Sequence, residues 1–170
     1  MRALPELHKA RPKAHVVVVG GNGVSYGRRL AKGSYREKYL AEIEGRYDAS
    51  RVHFVGRLPY ATFLRVLQVS TAHIYLTYPF VLSWSMMEAM SAGCLVIGSR
   101  TPPVEEVICD GVNGLLVDFF STSELVGAID RACSDPAGMQ LLRDEARRTI
   151  MTGYDLDTVC LPRQRELIEG

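Results

Sequence analysis

Five short apolar runs set the rhythm of this chain. "AHVVVVGG", residues 14–21, is β-branched without polar alternation, which is the pattern of a strand covered on both faces of a parallel sheet. "RVHFVG", "AHIYLTY", "CLVIGS" and "GLLVDF" repeat the pattern in shorter form. Between them lie stretches with helical character: "REKYLAEIEGRY", "YATFLRVLQVS", "SMMEAMSAG" and "PPVEEVICDG". This alternation predicts right-handed βαβ crossovers. The expected fold class is α/β, a Rossmann-like open parallel sheet with helices on both faces. From Ser121 to about Ile150 the pattern turns wholly helical, with a Ser-x-x-Glu start in "STSELVGAIDRACS" and an early proline in "DPAGMQLLRDEARRTIM". A last helix is expected in "LPRQRELIEG".

Turn signals gather where the strands should finish: Gly20-Gly21-Asn22-Gly23, Gly56, Pro79, Gly98 and Asp110-Gly111. In open parallel sheets, ligands bind in the crevice beyond the carboxyl ends of the strands, so topology alone nominates these loops. "NGVSYGRRLAKGS" is the most loop-like internal stretch. The opening "MRALPELHKARPKA" reads as the later part of a helix leading into a strand, with no strand before it. The expectation is one domain over 1–170, a fragment that lacks its first strand and an upstream domain.

Composition narrows the choice of partners. A balance of 20 basic and 19 acidic side chains leaves a net charge of +1, so no global field favours nucleic acid or an anionic membrane. Any anion site must be local. Four scattered cysteines without a CxxC pair speak against structural zinc or a disulfide framework and suit a reducing cytosol. They are expected to be buried rather than reactive. No apolar run approaches the roughly 20 residues of a transmembrane helix. Met1 to Lys13 is too charged and proline-broken for a signal peptide, so a soluble protein is expected.

Two places carry candidate chemistry. In "VVGGNGVSYG", Gly21, Gly23 and Gly27 are spaced G-x-G-x-x-x-G, which departs from the dinucleotide fingerprint, and no acid closes the second strand. The turn can either cradle a phosphate on its amides or simply require positive φ. Glu88 is the second. Ser85-Met86-Met87-Glu88 fits a capping box, which would explain the acid structurally. A carboxylate at the crevice mouth can equally accept hydrogen bonds from vicinal sugar hydroxyls, beside free amides of Ser83, Trp84 and Ser85 at the helix start. Arg57, Arg100 and the group Arg28, Arg29 and Lys32 could reach a phosphate or face water. His15, His53 and His73 are expected to be hydrogen-bonded structural residues, and Met86, Met87 and Met90 core filler. Phe80 and Trp84 suit either sugar stacking or the core.

The run from Ala14 to Asp135 resembles the carboxy-terminal, donor-binding domain of retaining GT-B glycosyltransferases, family four (glycosyl transferases group 1). The most specific pieces are "RVHFVGRLP" and "SWSMMEAMSAGCLVIGSRTPPVEEVICDGVNGLLVDFFSTSELVGAI". The resemblance implies that Glu88 contacts the nucleotide ribose and that amides near Ser83, Trp84 and Ser85 approach the diphosphate. It also implies that Val55, Gly56, Arg57 and Leu58 meet the base, and that Gly20, Gly21 and Asn22 lie near the phosphates. The implied substrate is a nucleoside-diphosphate sugar, UDP- or GDP-linked, with no cofactor, no metal and no assigned catalytic residue. The acceptor, a glycan, lipid or small molecule, would be held by the missing amino-terminal domain. The setting would be cytoplasmic, with peripheral association at the inner membrane open for a full-length protein, in polysaccharide or glycoconjugate biosynthesis. Phe80 stands where the family motif has a first glutamate, and the family's phosphate-neutralising arginine and lysine fall before this chain begins. A sugar-nucleotide epimerase or hydrolase of the same fold, and a non-catalytic interaction module, remain alternatives.

Overall fold

A computed structural model of the chain describes residues 1–24, 27–78 and 82–169. Its five described strands are all parallel to their neighbours. β1 (Val16–Val19) pairs with β2 (Val52–Gly56), and β4 (Val96–Ser99) lies between β3 (His73–Tyr75) and β5 (Leu115–Val117). Among the described residues eight α-helices precede, separate or follow the strands: α1 (Leu4–Ala10), α2 (Tyr35–Ala41), α3 (Tyr60–Val69), α4 (Trp84–Ser91), α5 (Pro102–Glu105), α6 (Thr122–Ser134), α7 (Pro136–Gly153) and α8 (Leu161–Glu169). The expected α/β class with parallel sheets and flanking helices is therefore present. Hydrogen bonds divide the strands into two groups, since among the described residues β1 joins only β2 and β3 joins only β4.

β4 explains its own sequence. Every residue from Cys94 to Ser99 is buried, and alternate residues serve opposite layers. Val96 packs with Met86, Met90, Val104, Ile108 and Leu116. Leu95 and Ile97 pack with Leu115, Val117, Leu125, Met139 and Leu142. A strand with helices on both faces favours apolar side chains, hence the run Leu95 to Ile97, and the buried Ser99 at its end is satisfied by the amide and carbonyl of Thr77.

β1 departs from the expectation built on its four valines. Val16 joins the cluster of Leu4, Ile43 and Val52, but Val17 is 45% exposed, as are its neighbours His15 and His53 in large part. One face of the β1–β2 pair is covered by α1 and the segment around Ile43, while the other has no helix over it among the described residues. β-branching records strand preference here, and burial does not follow from it. α1 also ties this pair to the other sheet. Arg11 donates through Nε to Asp130 Oδ1 at 2.6 Å and through Nη2 to the Asp130 carbonyl at 2.9 Å, both on α6.

Local capping places several helices. Ser34 Oγ accepts from the Glu37 amide at 3.2 Å while Glu37 Oε2 accepts from the Ser34 amide at 2.7 Å, a complete capping box for α2. At α6 only half of the expected box forms: Ser121 Oγ accepts from the Glu124 amide, but the Glu124 carboxylate turns to the Asp118 amide. α7 opens on Asp135, whose Oδ1 accepts from the Gly138 amide, with Pro136 in the first turn.

Asn113 holds the loop before β5. It is buried, its Oδ1 accepts from the Cys109 amide at 2.7 Å, and its Nδ2 donates to the Val107 carbonyl at 2.9 Å and Thr149 Oγ1 at 3.1 Å. Asn113→Ala would leave buried backbone groups unpaired, at about 2–3 kcal/mol. Urea unfolding of the variant should show that loss as a lowered midpoint with an unchanged slope.

Candidate functional site

The first two strands end in loops that are locked together. Gly20, at φ +129°, donates its amide to the carbonyl of Gly56, at φ +67°, over 2.8 Å. Both positions need a conformation that side-chain-bearing residues avoid. For Gly20 and Gly56 the requirement for positive φ is thus real. Gly21 and Gly23 do not share it. Arg57 folds back toward this turn: its Nε lies 3.6 Å from where a Cβ on Gly21 would sit. A hollow of about 320 Å³ is lined by Gly20, Gly21, Gly23, Val24, Arg29 and Arg57. A second, of about 270 Å³, adjoins it from Asn22 past Arg29 to Ser34 and Tyr35. Val55, near the end of β2, is exposed, and Leu58, next to Arg57, is half-buried.

The start of α4 differs from the capping box expected at Ser85 and Glu88. The N-cap is Ser83, whose Oγ accepts from the Ser85 amide at 3.4 Å. The Ser83 amide is itself taken by Tyr75 Oη, at 2.8 Å. The helix begins two residues before the sequence pattern proposes, because the side chain of β3 reaches up to fix its first turn. Of the three amides expected to be free, those of Ser83 and Ser85 are engaged. Among the described residues only that of Trp84 has no partner.

Glu88 is thereby released from capping. Met86 and Met90, two positions to either side, are fully buried, and on an α-helix that places Glu88 roughly 160° away from both. The carboxylate is half-buried and stands beside Tyr60, the first residue of α3. The negative charge of Glu88, followed by desolvation, raises the Tyr60 phenol above its ordinary value. Trp84 is 83% exposed, which removes the core reading for it. Pro79 and Phe80 lie outside the described residues.

The remaining candidates separate by their partners. Arg100 is held by Asp110, Nη2 to Oδ2 at 2.9 Å, with Glu105 at 3.9 Å, and so is engaged rather than waiting for a phosphate. Burial alone would raise Asp110, but the Leu116 amide and Arg100 outweigh it and hold its carboxyl below the usual range. His15 Nδ1 and His53 Nε2 share a hydrogen bond at 2.9 Å on an exposed face. His73 is pushed down by burial, and its Nε2 has no partner among the described residues, contrary to the hydrogen-bonded role expected for it. Met86 and Met90 are core, as expected. Cys94 is buried and its thiol is raised to about 11 by desolvation. Cys109 is exposed, which corrects the expectation that all four cysteines are buried. Among the described residues no group of acidic, histidine and cysteine side chains could hold a metal ion, and no helix is long and apolar enough to cross a membrane.

Residues 1–150 match the model of the family described as Glycosyl transferases group 1. The chain belongs to this family. An uncharacterized glycosyltransferase, MJ1069, of Methanocaldococcus jannaschii is 22% identical over 156 residues, which is 91% of this chain and 37% of that protein. Sucrose-phosphate synthase from Thermosynechococcus elongatus is structurally similar over 98% of this chain and 41% of its own, with a TM-score of 0.80 and 21% identity. Anabaena HepE in complex with UDP-glucose matches 100% of this chain and 45% of its own, with a TM-score of 0.84 and 17% identity. The carboxy-terminal domain of LpcC, a group 1 family protein of Francisella tularensis, matches over 91% of this chain and 77% of its own, with a TM-score of 0.72 and 20% identity. The chain therefore spans about two fifths of the length of the full-length relatives it matches.

For this group 1 glycosyltransferase chain, the residues nominated from sequence fall into two sets, both toward the carboxyl ends of the strands. Gly20, Gly21 and Asn22 follow β1, and Val55, Gly56, Arg57 and Leu58 run from the end of β2 into the loop after it. Ser83, Trp84, Ser85 and Glu88 belong to α4. Tyr60 bridges them, three residues beyond Arg57 and alongside Glu88. Sequence reasoning passed over it, because nothing local pairs positions 60 and 88. It also passed over the exposed Tyr78 and Phe120 and the half-buried Phe119, whose rings meet edge to face with centroids 4.9–6.1 Å apart. Only topology, which sends the chain after β3 and after β5 to the same end, could have signalled them. Glu88→Gln should return the Tyr60 phenol toward the ordinary tyrosine value of about 10. Alkaline titration of ring-labelled tyrosine by NMR should show one resonance moving to a lower midpoint and the other seven unmoved.

Proposed function

We propose that this chain is the donor-binding part of a longer glycosyltransferase, which holds a nucleoside-diphosphate sugar while a further domain presents the acceptor hydroxyl. The observation that carries the reading is Glu88: a single acid on an apolar helix, not used as a cap, directed away from the buried Met86 and Met90 and half-exposed on the helix that follows β3. Its two oxygens suit the vicinal hydroxyls of a ribose. The base lies against the loop of Val55 and Leu58, and the diphosphate lies between the glycine turn and the Trp84 amide. The family membership and the UDP-glucose bound by HepE support a uridine nucleotide as the first ligand to test.

In this reading the sugar passes to the acceptor with retention of configuration. The bond from the anomeric carbon to the diphosphate breaks while the acceptor oxygen forms its new bond on the same face, and the acceptor's hydroxyl proton passes to the departing diphosphate oxygen. The chain's contribution is to orient the donor and to stabilise charge developing on the departing diphosphate, with no protein nucleophile. Alone, this part holds the donor but closes only half of a cleft, so it does not turn over.

Isothermal titration of the chain with UDP, GDP and ADP tests the reading. One nucleotide should bind in preference to the others, and Glu88→Ala should weaken it by about 1–3 kcal/mol without altering the melting curve. Absence of binding by all three, or measurable sugar transfer by this chain alone, would contradict the proposal.

A further inference from the structure

The chain contains two asparagines, Asn22 and Asn113, and a glycine follows each of them. An asparagine side chain is most open to attack by the next backbone nitrogen when that nitrogen belongs to glycine, which has no side chain in the way and turns freely. In sequence the two sites are equivalent, and the fold separates them. Asn113 is 5% exposed, with its Oδ1 and Nδ2 both engaged by the Cys109, Val107 and Thr149 groups around it. Gly114 is packed so closely that a Cβ on it would lie 2.8 Å from Ile108 Cγ2 and 3.1 Å from the Val96 carbonyl oxygen. Asn22 and Gly23 are both exposed and lie outside any helix or strand. Among the described residues neither the Asn22 side chain nor the Gly23 amide has a hydrogen-bond partner, and nothing stands within 4 Å of where a Cβ on Gly23 would sit.

We propose that Asn22 is a site of spontaneous deamidation, free to cyclise onto Gly23 and to become aspartate or isoaspartate as the protein ages. The backbone nitrogen of Gly23 forms a bond to Cγ of Asn22. The bond from Cγ to Nδ2 breaks, and the amide proton departs with that nitrogen as ammonia. The cyclic imide then takes up one water, which opens it at either carbonyl. One water is consumed and one ammonia released, with no oxidant, cofactor or second protein. Because the attacking nitrogen must shed its proton, the step accelerates as pH rises. The product carries a negative charge where there was none, which cancels the chain's single excess positive charge. The new carboxylate stands on the wall of the hollow that Asn22 shares with Gly23 and Arg29. Opening to isoaspartate also lengthens the main chain by one methylene, two residues after the Gly20 amide that is bonded to Gly56. In the donor-binding reading above, on which this consequence rests, the modified turn repels the diphosphate.

Prolonged incubation of the chain at mildly alkaline pH, followed by peptic digestion in acid and mass spectrometry, tests the site. The peptide holding Asn22 should gain the single mass unit by which an acid exceeds its amide, with ammonia released in equal amount. The peptide holding Asn113 should keep its mass. Gly23→Ala leaves the asparagine in place and suits the fold, since Gly23 has no positive φ and open space around it. That variant should slow the gain by roughly tenfold. An unchanged Asn22 peptide, equal conversion of both asparagines, or a Gly23→Ala chain that converts as fast as the unsubstituted one would each overturn the proposal. Isothermal titration of Asn22→Asp with UDP should show affinity lowered by about tenfold. Equal affinity would overturn the effect on binding and leave the modification standing. Failure of the unsubstituted chain to bind UDP would overturn the donor-binding reading and the effect on binding with it, whereas the mass result decides the modification by itself.

Discussion

The enclosure of β4 is the constraint from which the site follows. Because Leu95 and Ile97 face one layer and Val96 the other, helices must pack on both sides of this strand, and α4 is held to it by Met86 and Met90. Once those methionines are buried, helical periodicity leaves Glu88 no route inward. A deeply packed strand and a solvent-facing acid are thus two consequences of the same arrangement. The same packing places the first turn of α4 above Tyr75, whose hydroxyl takes the Ser83 amide. The core thereby determines which backbone groups remain available at the crevice.

One tetrapeptide pattern illustrates how far local sequence reaches. Ser-x-x-Glu occurs at Ser34–Glu37, Ser85–Glu88 and Ser121–Glu124. It forms a full capping box at the first, half of one at the last and none in the middle. The residues are equally capable in each case. What differs is the competition: Asp118 offers its amide to Glu124, and Ser83 begins α4 early. Capping is worth about 1 kcal/mol, so a single tertiary hydrogen bond is enough to move a helix start by two residues.

Arginines show the same limit from the electrostatic side. Arg57 and Arg100 both follow a strand and a glycine- or serine-bearing turn, and in sequence they are equivalent candidates for an anion. Arg100 meets Asp110, which is drawn toward it by the Leu116 amide, and its charge is spent within the fold. Arg57 meets a glycine turn with no acid in it. Partnership of this kind depends on residues 10 or more positions away, and no spacing rule encodes it.

The order of strands and helices and the parallel sheets were legible in the chain itself. They rest on hydrophobic periodicity and on the fixed handedness of crossovers, which are local or topological properties. Residues 55–58 and 83–88 could be nominated on those grounds and on the family resemblance. Tertiary structure alone decided that Val17 is open while Val96 is enclosed, that Trp84 faces solvent, and that Tyr60 stands beside Glu88. It also decided that Arg57 turns to the glycines. Each of those outcomes depends on which distant groups arrive at a shared surface, and contact between remote segments leaves no periodic trace in the residues that make it.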